Sequence, residues 1–191
     1  MYNLVIFASG GGTTLQAIID AIANKELDCK INLVISNSPD AYALERAKNT
    51  GIETYVIQNK KSDEMDLELE QILKNHEIDL IVLAGYLKKI GPRLVEKYTI
   101  INTHPSLIPK FCGKGMYGMK VHEAVVNAGE KISGATVHYV NQNYDEGNII
   151  SQTKIDVLPN DTADDVAEKV KAAEKIQLIN VIRNLSKSFQ K

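Results

Sequence analysis

The sequence has little cysteine and no long apolar run. Its two cysteines, Cys29 and Cys112, are too few for a disulfide-stabilised scaffold, and they lack the close spacing of a zinc site. No window approaches the roughly 20 apolar residues that cross a bilayer, and no basic segment followed by a long apolar stretch marks a secretion signal at the N-terminus. We therefore expect a cytoplasmic protein with reduced thiols and no membrane partner.

The sequence also lacks an excess of charge of either sign. Its 22 Lys and Arg residues nearly balance 24 Asp and Glu residues, and the formal net charge is -2. This balance excludes a strongly basic nucleic-acid-binding protein at the level of composition. Hydrophobic residues make up 44% of the chain and charged residues 24%, as in globular proteins and unlike disordered ones. The 191 residues fit one domain, since a domain typically holds about 100–200 residues.

Short apolar runs alternate with stretches of helical spacing over the first hundred residues. The run Leu4–Ala8 has the continuous apolar character of a parallel strand buried on both faces. Helical spacing of apolar residues follows it over 13–22. The remaining elements predicted in this half are strands at 31–35, 54–57, 80–84 and 99–102 and helices at 38–51 and 63–74. This β-α repetition predicts an α/β fold with a doubly wound, mostly parallel, Rossmann-like sheet.

The pattern changes after residue 104. A loop rich in proline and glycine leads to a predicted helix at about 120–128 and to two alternating segments, 134–140 and 148–155, which predict a β-hairpin. Thr162 and Asp165 have the spacing of a capping box, and a long helix from there reaches Ser186. We therefore predict a C-terminal β-hairpin extension and a long last helix, with the whole chain, 1–191, as one domain.

Three glycines, Gly10 to Gly12, separate the first predicted strand from the helix after it. Glycines there allow a tight turn and expose backbone N–H groups beside a helix N-terminus, an arrangement that binds phosphate. The loop lacks the Lys-Ser/Thr pair of a P-loop, and Leu15 stands where a dinucleotide fingerprint has its third glycine. The loop therefore favours a single phosphate, with Thr13 and Thr14 as further donors, and leaves open a tight turn that binds nothing.

Asn102 and His104 lie at the carboxyl end of the fifth predicted strand, the edge at which open α/β sheets bind ligands. They are two residues apart, so their side chains face one side of an extended segment. An Asn amide and an imidazolium both stabilise a developing oxyanion, and Asp145 is a candidate for orienting the histidine and holding its charge. The alternative is a hydrogen-bonded histidine without a catalytic role.

The other histidines carry weaker signals. We expect His122 to be half-exposed on a helix, and His138 to be a core or surface residue of a strand rather than a ligand. No two histidines are close enough in sequence for a recognisable metal motif. We therefore expect no metal.

Two segments resemble a known family. Residues 102–109 read Asn-x-His-Pro-Ser-Leu-x-Pro, and residues 8–18 contain the glycine loop. Together they are similar to the phosphoribosylglycinamide formyltransferases of purine synthesis, within the wider group of folate-dependent formyltransferases. Further matches lie at 82–86, 134–140 and 145–147, so the resemblance covers about residues 3 to 185. Related methionyl-tRNA formyltransferases and formyltetrahydrofolate hydrolases carry an added domain, for which we expect no room in this chain.

The resemblance implies transfer of the formyl group of 10-formyltetrahydrofolate, a co-substrate, to the glycine amine of 5-phosphoribosylglycinamide. It implies that Asn102 and protonated His104 stabilise the oxyanion and that Asp145 raises the pKa of His104. It further implies a mononucleotide- or phosphate-binding half, 1–103, and a folate and catalytic half, 104–191. We expect small-molecule substrates, no nucleic-acid partner, and a monomer or a homodimer.

Binding residues follow from the same resemblance. The residues implied for phosphoribosylglycinamide are Gly11, Gly12, Thr13, Thr14 and Glu174. The residues implied for the folate are Leu83, Leu87, Lys88, Lys89, Ile90, Asn102, Val140, Asn141 and Tyr144. The match also suggests a cis peptide bond between Ile108 and Pro109.

The chain departs from the family pattern at five positions, and none of the substituted residues belongs to the catalytic three. They are Thr14 for the common Asn, Lys88 for Arg, Ser62 for an Arg of some relatives, and the segment 145–148, where Glu146 replaces Gly or Thr and Asn148 replaces Pro. Two alternatives stay open. A formyltetrahydrofolate hydrolase needs the same three residues with water in place of the amine, and a non-catalytic nucleotide-binding regulatory module needs none of them.

Overall fold

The computed structural model describes residues 1–58 and 61–189 and has an α/β fold. Its strands are hydrogen-bonded in the order β3-β2-β1-β4-β5-β6-β7, as a mostly parallel sheet. The strands are β1 Tyr2–Phe7, β2 Cys29–Ser36, β3 Thr54–Val56, β4 Leu80–Leu83, β5 Ile100–His104, β6 Ile132–Tyr139 and β7 Ile149–Asp156. The helices are α1 Thr13–Ala23, α2 Tyr42–Asn49, α3 Ser62–Leu73, α4 Pro92–Lys97, α5 Met119–Asn127 and α6 Ala163–Phe189. The predicted fold class is confirmed.

The chain divides into two compact units. One consists of residues 1–101 together with the chain from residue 182 onward, and the other consists of residues 102–181. No helix in the described part of the chain is long and apolar enough to cross a membrane.

The first unit is built around β1, which pairs in parallel with β2 on one side and β4 on the other. Leu4, Val5, Ile6 and Phe7 are all fully buried, as expected for a strand covered on both faces. Leu15, Ile18 and Ile19 form the buried face of α1. Because the strands are parallel, the loops after β1, β2 and β4 all leave the sheet at the same edge.

Two helices of this unit differ from the prediction. Helix α2 begins at Tyr42 rather than Ser38, because residues 38–41 form a turn in which Ala41 N donates to Ser38 O at 3.3 Å. Helix α4 was not predicted. It has six residues, too few to show a helical period, and its one sequence signal is Pro92 in the first turn, a position that proline favours.

The second unit contains the antiparallel pair β6 and β7, which confirms the predicted hairpin. The capping box at the start of α6 is also confirmed. Asp165 Oδ2 accepts the Thr162 N–H at 2.8 Å, and Thr162 Oγ1 accepts the Asp165 N–H at 3.2 Å. Strand β5 extends to His104, two residues beyond the prediction, so that Asn102 and His104 are both strand residues.

Candidate active site

The carboxyl end of β5, in the second unit, brings together the three residues singled out from the sequence. His104 Nδ1 lies 3.6 Å from Asp145 Oδ2. The other carboxylate oxygen, Oδ1, lies 3.6 Å from Nε2 of His138, and that same nitrogen lies 3.2 Å from Nδ2 of Asn102. One amide, one carboxylate and two imidazoles therefore form a single polar cluster.

Asp145 sits in the loop between β6 and β7, where its backbone has a φ of 56°. A short polar side chain tolerates this left-handed conformation better than most. Its Oδ2 accepts the N–H of Gly113 at 2.9 Å. Burial by itself raises the pKa of Asp145, but the neighbouring side chains of His138 and His104 and the Gly113 N–H together bring it below its ordinary value. The carboxylate is therefore ionised at neutral pH.

The pKa of His104 departs from the expectation. His104 is 4% exposed, and this burial lowers its pKa more than Asp145 and the carbonyl of Phe111 raise it. The charge of His138 acts in the same direction as burial. Asp145 thus raises the pKa of His104, as the resemblance implies, but burial lowers it by more because charging a buried ring is costly. His104 is neutral at neutral pH.

The tautomer of His104 follows from its partners. Nε2 lies 2.9 Å from the carbonyl oxygen of Phe111, which only accepts, so Nε2 carries the hydrogen and Nδ1 the lone pair. Phe111 has a φ of 52°, an uncommon conformation for a bulky side chain. Both acceptors that face His104, Phe111 and Asp145, thus come from residues in the left-handed region, as is common at functional sites.

The turn that carries Phe111 is held by a set of polar side chains. Ser106 Oγ donates to Lys110 O at 2.6 Å, and Thr136 Oγ1 donates to Ser106 O at 2.6 Å. Gln152 Nε2 donates to Ile108 O at 2.9 Å. The peptide bond between Ile108 and Pro109 is cis, as the resemblance suggested. The strands β6 and β7 therefore fix the position of the turn after β5.

His138 was assigned no role from the sequence, yet it belongs to the cluster. Its side chain is buried, and its Nδ1 donates to Tyr139 O at 2.9 Å. In the neutral ring Nε2 is then an acceptor, and it receives a hydrogen from the Asn102 amide. The sequence placed His138 in a predicted strand, 134–140. Its contact with Asn102 could not be predicted, because it depends on β6 lying next to β5 in the sheet.

His122 differs from its expected exposure. It is 3% exposed, because it lies with Val121 and Val125 on the buried face of α5. Burial, together with the charges of Lys171 and His104, lowers the pKa of His122 to about 4. Among the described residues, no group of three or more His, Cys, Asp or Glu side chains is placed to hold a metal ion.

The glycine loop belongs to the first unit and ends at Gly12, the N-cap of α1, with a φ of 67°. A Cβ atom at this position would lie 2.7 Å from the Cα of Ala43, so both the backbone conformation and the close approach of α2 require glycine. Thr13 and Thr14 form the first turn of α1. The backbone N–H groups of this turn belong to the N-terminal end of α1, the end at which helices bind anions.

Arg46 of α2 also holds this loop, and the sequence analysis missed it. Its Nε donates to Gly11 O at 2.8 Å, and its Nη1 donates to Gln16 Oε1 at 3.0 Å. The N–H of Ala43 donates to Gly10 O at 3.0 Å. Two carbonyl groups of the loop are therefore bonded to α2, an arrangement that suits anion binding by the N–H groups at the start of α1.

The other implied binding residues lie in three places. In the first unit, Leu83 ends β4 and is buried, and in the loop after β4 Leu87, Lys88 and Lys89 are exposed whereas Ile90 is buried. In the loop after β6 of the second unit, Val140 and Asn141 are half-buried and Tyr144 is exposed. Glu174 is half-buried on α6. Their roles stay predictions.

Residues 2–182 match the model of a family described as formyl transferase. The chain is similar to the phosphoribosylglycinamide formyltransferase of Bacillus subtilis (strain 168), with 35% identity, 97% of this chain and 95% of the relative covered. It is 36% identical to the chloroplastic phosphoribosylglycinamide formyltransferase of Arabidopsis thaliana over 94% of this chain. The chain spans 64% of that plant protein and 60% of its counterpart from Vigna unguiculata.

Solved structures show the same likeness. The crystal structure of glycinamide ribonucleotide transformylase 1 from Geobacillus kaustophilus matches with a TM-score of 0.89 and 34% identity, with 97% of this chain and 98% of that one covered. The crystal structure of phosphoribosylglycinamide formyltransferase from Bacillus halodurans matches with a TM-score of 0.88 and 34% identity, with 96% of this chain and 94% of that one covered.

Proposed function

The chain belongs to the formyl transferase family, and we propose that it transfers the formyl group of 10-formyltetrahydrofolate to the glycine amine of 5-phosphoribosylglycinamide. The observation that carries the proposal is the cluster of Asn102, His104, His138 and Asp145 at the end of β5. Likeness over nearly the full length of bacterial relatives named for this activity supports it. The glycine loop and α1 supply the N–H groups that a substrate phosphate needs.

In this reaction the amine nitrogen attacks the formyl carbon, a C–N bond forms, and the carbonyl electron pair moves onto the oxygen. Asn102 is the proposed donor to this oxyanion. One Nδ2 hydrogen is directed at His138, which orients the amide and leaves the second hydrogen for the oxyanion. Collapse of the oxyanion breaks the bond between the formyl carbon and N10 of the folate. The amine loses one proton and N10 gains one, so the protons balance.

His104 is the proposed carrier of that proton. It starts neutral because burial lowers its pKa, and its Nε2 hydrogen is already donated to Phe111. It therefore accepts a proton at Nδ1, where the Asp145 carboxylate, 3.6 Å away, compensates the new charge. The imidazolium then stabilises the oxyanion and returns the proton to N10. A buried histidine suits this role, since its charged form is favoured only while the oxyanion exists.

The binding roles complete the proposal. Backbone N–H groups of Gly11, Gly12, Thr13 and Thr14 hold the phosphate, and Glu174 interacts with the glycinamide end. The residues proposed for the folate are those named above for it, each within its own unit. We further propose a cytoplasmic location, which the two free cysteines support.

A formyl-transfer assay tests the proposal. The purified chain receives 10-formyltetrahydrofolate with glycinamide ribonucleotide, with water alone, or with an amino sugar nucleotide, and release of tetrahydrofolate is followed. We expect release that depends on glycinamide ribonucleotide and that is lost in Asn102→Ala. Equal release with water alone favours the hydrolase, and no release with any acceptor overturns the proposed transferase.

A further inference from the structure

One hydroxyl group, that of Ser9, joins three loops of the first unit. Ser9 lies between β1 and the glycine loop. Its Oγ donates to Asn37 Oδ1 at 2.5 Å and accepts the N–H of Leu87 at 2.8 Å. Asn37 follows β2 and Leu87 follows β4. Since β1 lies between β2 and β4 in the sheet, Ser9 links the loops on both sides of its own strand.

These bonds continue the sheet where its own ladder ends. The parallel pairing of β1 with β4 ends with Phe7 opposite Leu83. Beyond it, the N–H of Ser9 donates to Gly85 O at 3.1 Å, and the Ser9 hydroxyl then accepts from Leu87. The loop at residues 85–90 is thus attached to Ser9 at two points, and both points precede the exposed side chains of Lys88 and Lys89.

We propose that Ser9 is a positioning residue that couples phosphate binding at the glycine loop to folate binding at the 85–90 loop, an inference that rests on the proposed function. An anion on the N–H groups of Gly12 to Thr14 fixes the glycine loop and therefore the Ser9 hydroxyl. That hydroxyl holds the Leu87 N–H, which sets the backbone of the 85–90 loop. By linkage, each ligand then increases the affinity of the other by the same factor.

The size of the coupling follows from the contact that carries it. One hydrogen bond contributes enough to change an affinity by about 2- to 10-fold. We therefore expect saturating phosphate to tighten folate binding by a factor in this range. A merely structural role of Ser9 predicts a change in stability and no dependence of one affinity on the other ligand.

Calorimetric titration of the full chain with tetrahydrofolate, with and without saturating inorganic phosphate, measures the coupling. We expect phosphate to tighten tetrahydrofolate binding in the wild type and to have no effect on it in Ser9→Ala. Ser36→Ala is the matched control, because Ser36 Oγ accepts the N–H of Ser38 at 3.1 Å at the same sheet edge and, among the described residues, joins no second loop. This control is expected to keep the wild-type coupling.

Amide hydrogen exchange gives a second measurement that needs no variant. We expect phosphate to slow exchange of the Leu87 amide in the wild type. A wild type that binds both ligands with no mutual effect and unchanged exchange at Leu87 overturns the coupling alone. A wild type that binds neither ligand overturns the proposed function and the coupling with it. If Ser9→Ala keeps the wild-type coupling, Ser9 does not couple the two sites and the proposal is overturned.

Discussion

The Asp145 carboxylate lies 3.6 Å from His104 Nδ1, yet burial keeps the pKa of His104 below its ordinary value. The pair is therefore poised in an unequal state, with an ionised Asp145 and a neutral His104. Charging His104 becomes favourable when a negative charge develops beside it. The proposed chemistry depends on two features: the short distance between Asp145 and His104, and the burial of His104.

Replacing Asp145 by Asn removes the compensating charge and keeps the shape. We expect kcat to fall by at least about 10²-fold, the scale of losing one general acid or oxyanion donor, with much smaller changes in KM. Because the proposed mechanism starts from neutral His104, the acid limb of the rate profile reports its pKa. Loss of a negative neighbour lowers that pKa further, so the acid limb moves to lower pH. A near wild-type kcat with an unmoved limb contradicts the assigned role.

Some features of the candidate site could be predicted from the sequence, and others depend on the folded structure. Asn102 and His104 were predictable because the alternation of a strand puts residues two apart on one face. The pairing of Asn102 with His138 spans 36 positions and depends on which strands are neighbours. The pKa of His104 depends on how completely its ring is buried, and the sequence around His104 does not predict that burial.

In the first unit, too, some features could be predicted from the sequence and others could not. The apolar run of β1 predicted a strand buried on both faces, because its five residues fit the length of a buried strand and glycines follow it closely. Arg46 carries no signal of its bond to Gly11, because that contact forms when α2 packs beside the glycine loop. Helix α4 is shorter than two turns, so its position is fixed by contacts such as that of Asp66 Oδ2 with the Arg93 N–H, 3.1 Å away.

A double-mutant cycle tests the link between Asn102 and His138. If His138 acts by orienting the Asn102 amide, His138→Ala lowers kcat about 10-fold in the wild type and has no further effect in Asn102→Ala. Asn102→Ala alone is expected to cost about 10²–10³-fold in kcat, as for the loss of one oxyanion donor. Steady-state kinetics of the four proteins give the coupling. Additive effects would show that His138 acts independently of Asn102.

Replacing Gly12 by Ala tests the glycine loop. The new Cβ would lie 2.7 Å from Ala43 Cα, and φ is 67°, so we expect a loss of stability above the cost of about 1–2 kcal/mol for a left-handed alanine. Gly51→Ala is the control, with a φ of 73° and, in the described part of the chain, no atom within 4 Å of the new Cβ. The KM for phosphoribosylglycinamide is expected to rise more in Gly12→Ala than the KM for the folate. Equal stability losses in the two variants contradict the close approach of Ala43.

The buried His122 predicts an acid-labile fold. Its pKa is about 4 in the folded chain, against an ordinary value of 6.5, so the unfolded chain binds the extra proton as pH falls through this window. The free energy of unfolding therefore decreases on acidification, by about 2–3 kcal/mol between pH 7.5 and pH 4.5 from this group. Urea unfolding at a series of pH values measures it.

His122→Gln is the variant that isolates this effect. Glutamine places a neutral polar atom near the position of ring Nε2 and removes Nδ1, which has no hydrogen-bond partner in the part of the chain that the structure describes. We expect His122→Gln to lose most of the pH dependence in this window and to keep the smaller part that comes from His104, whose pKa burial also lowers. A pH dependence as steep as that of the wild type would assign the effect to the carboxylates instead, because buried or paired acidic groups titrate at the low end of the same window.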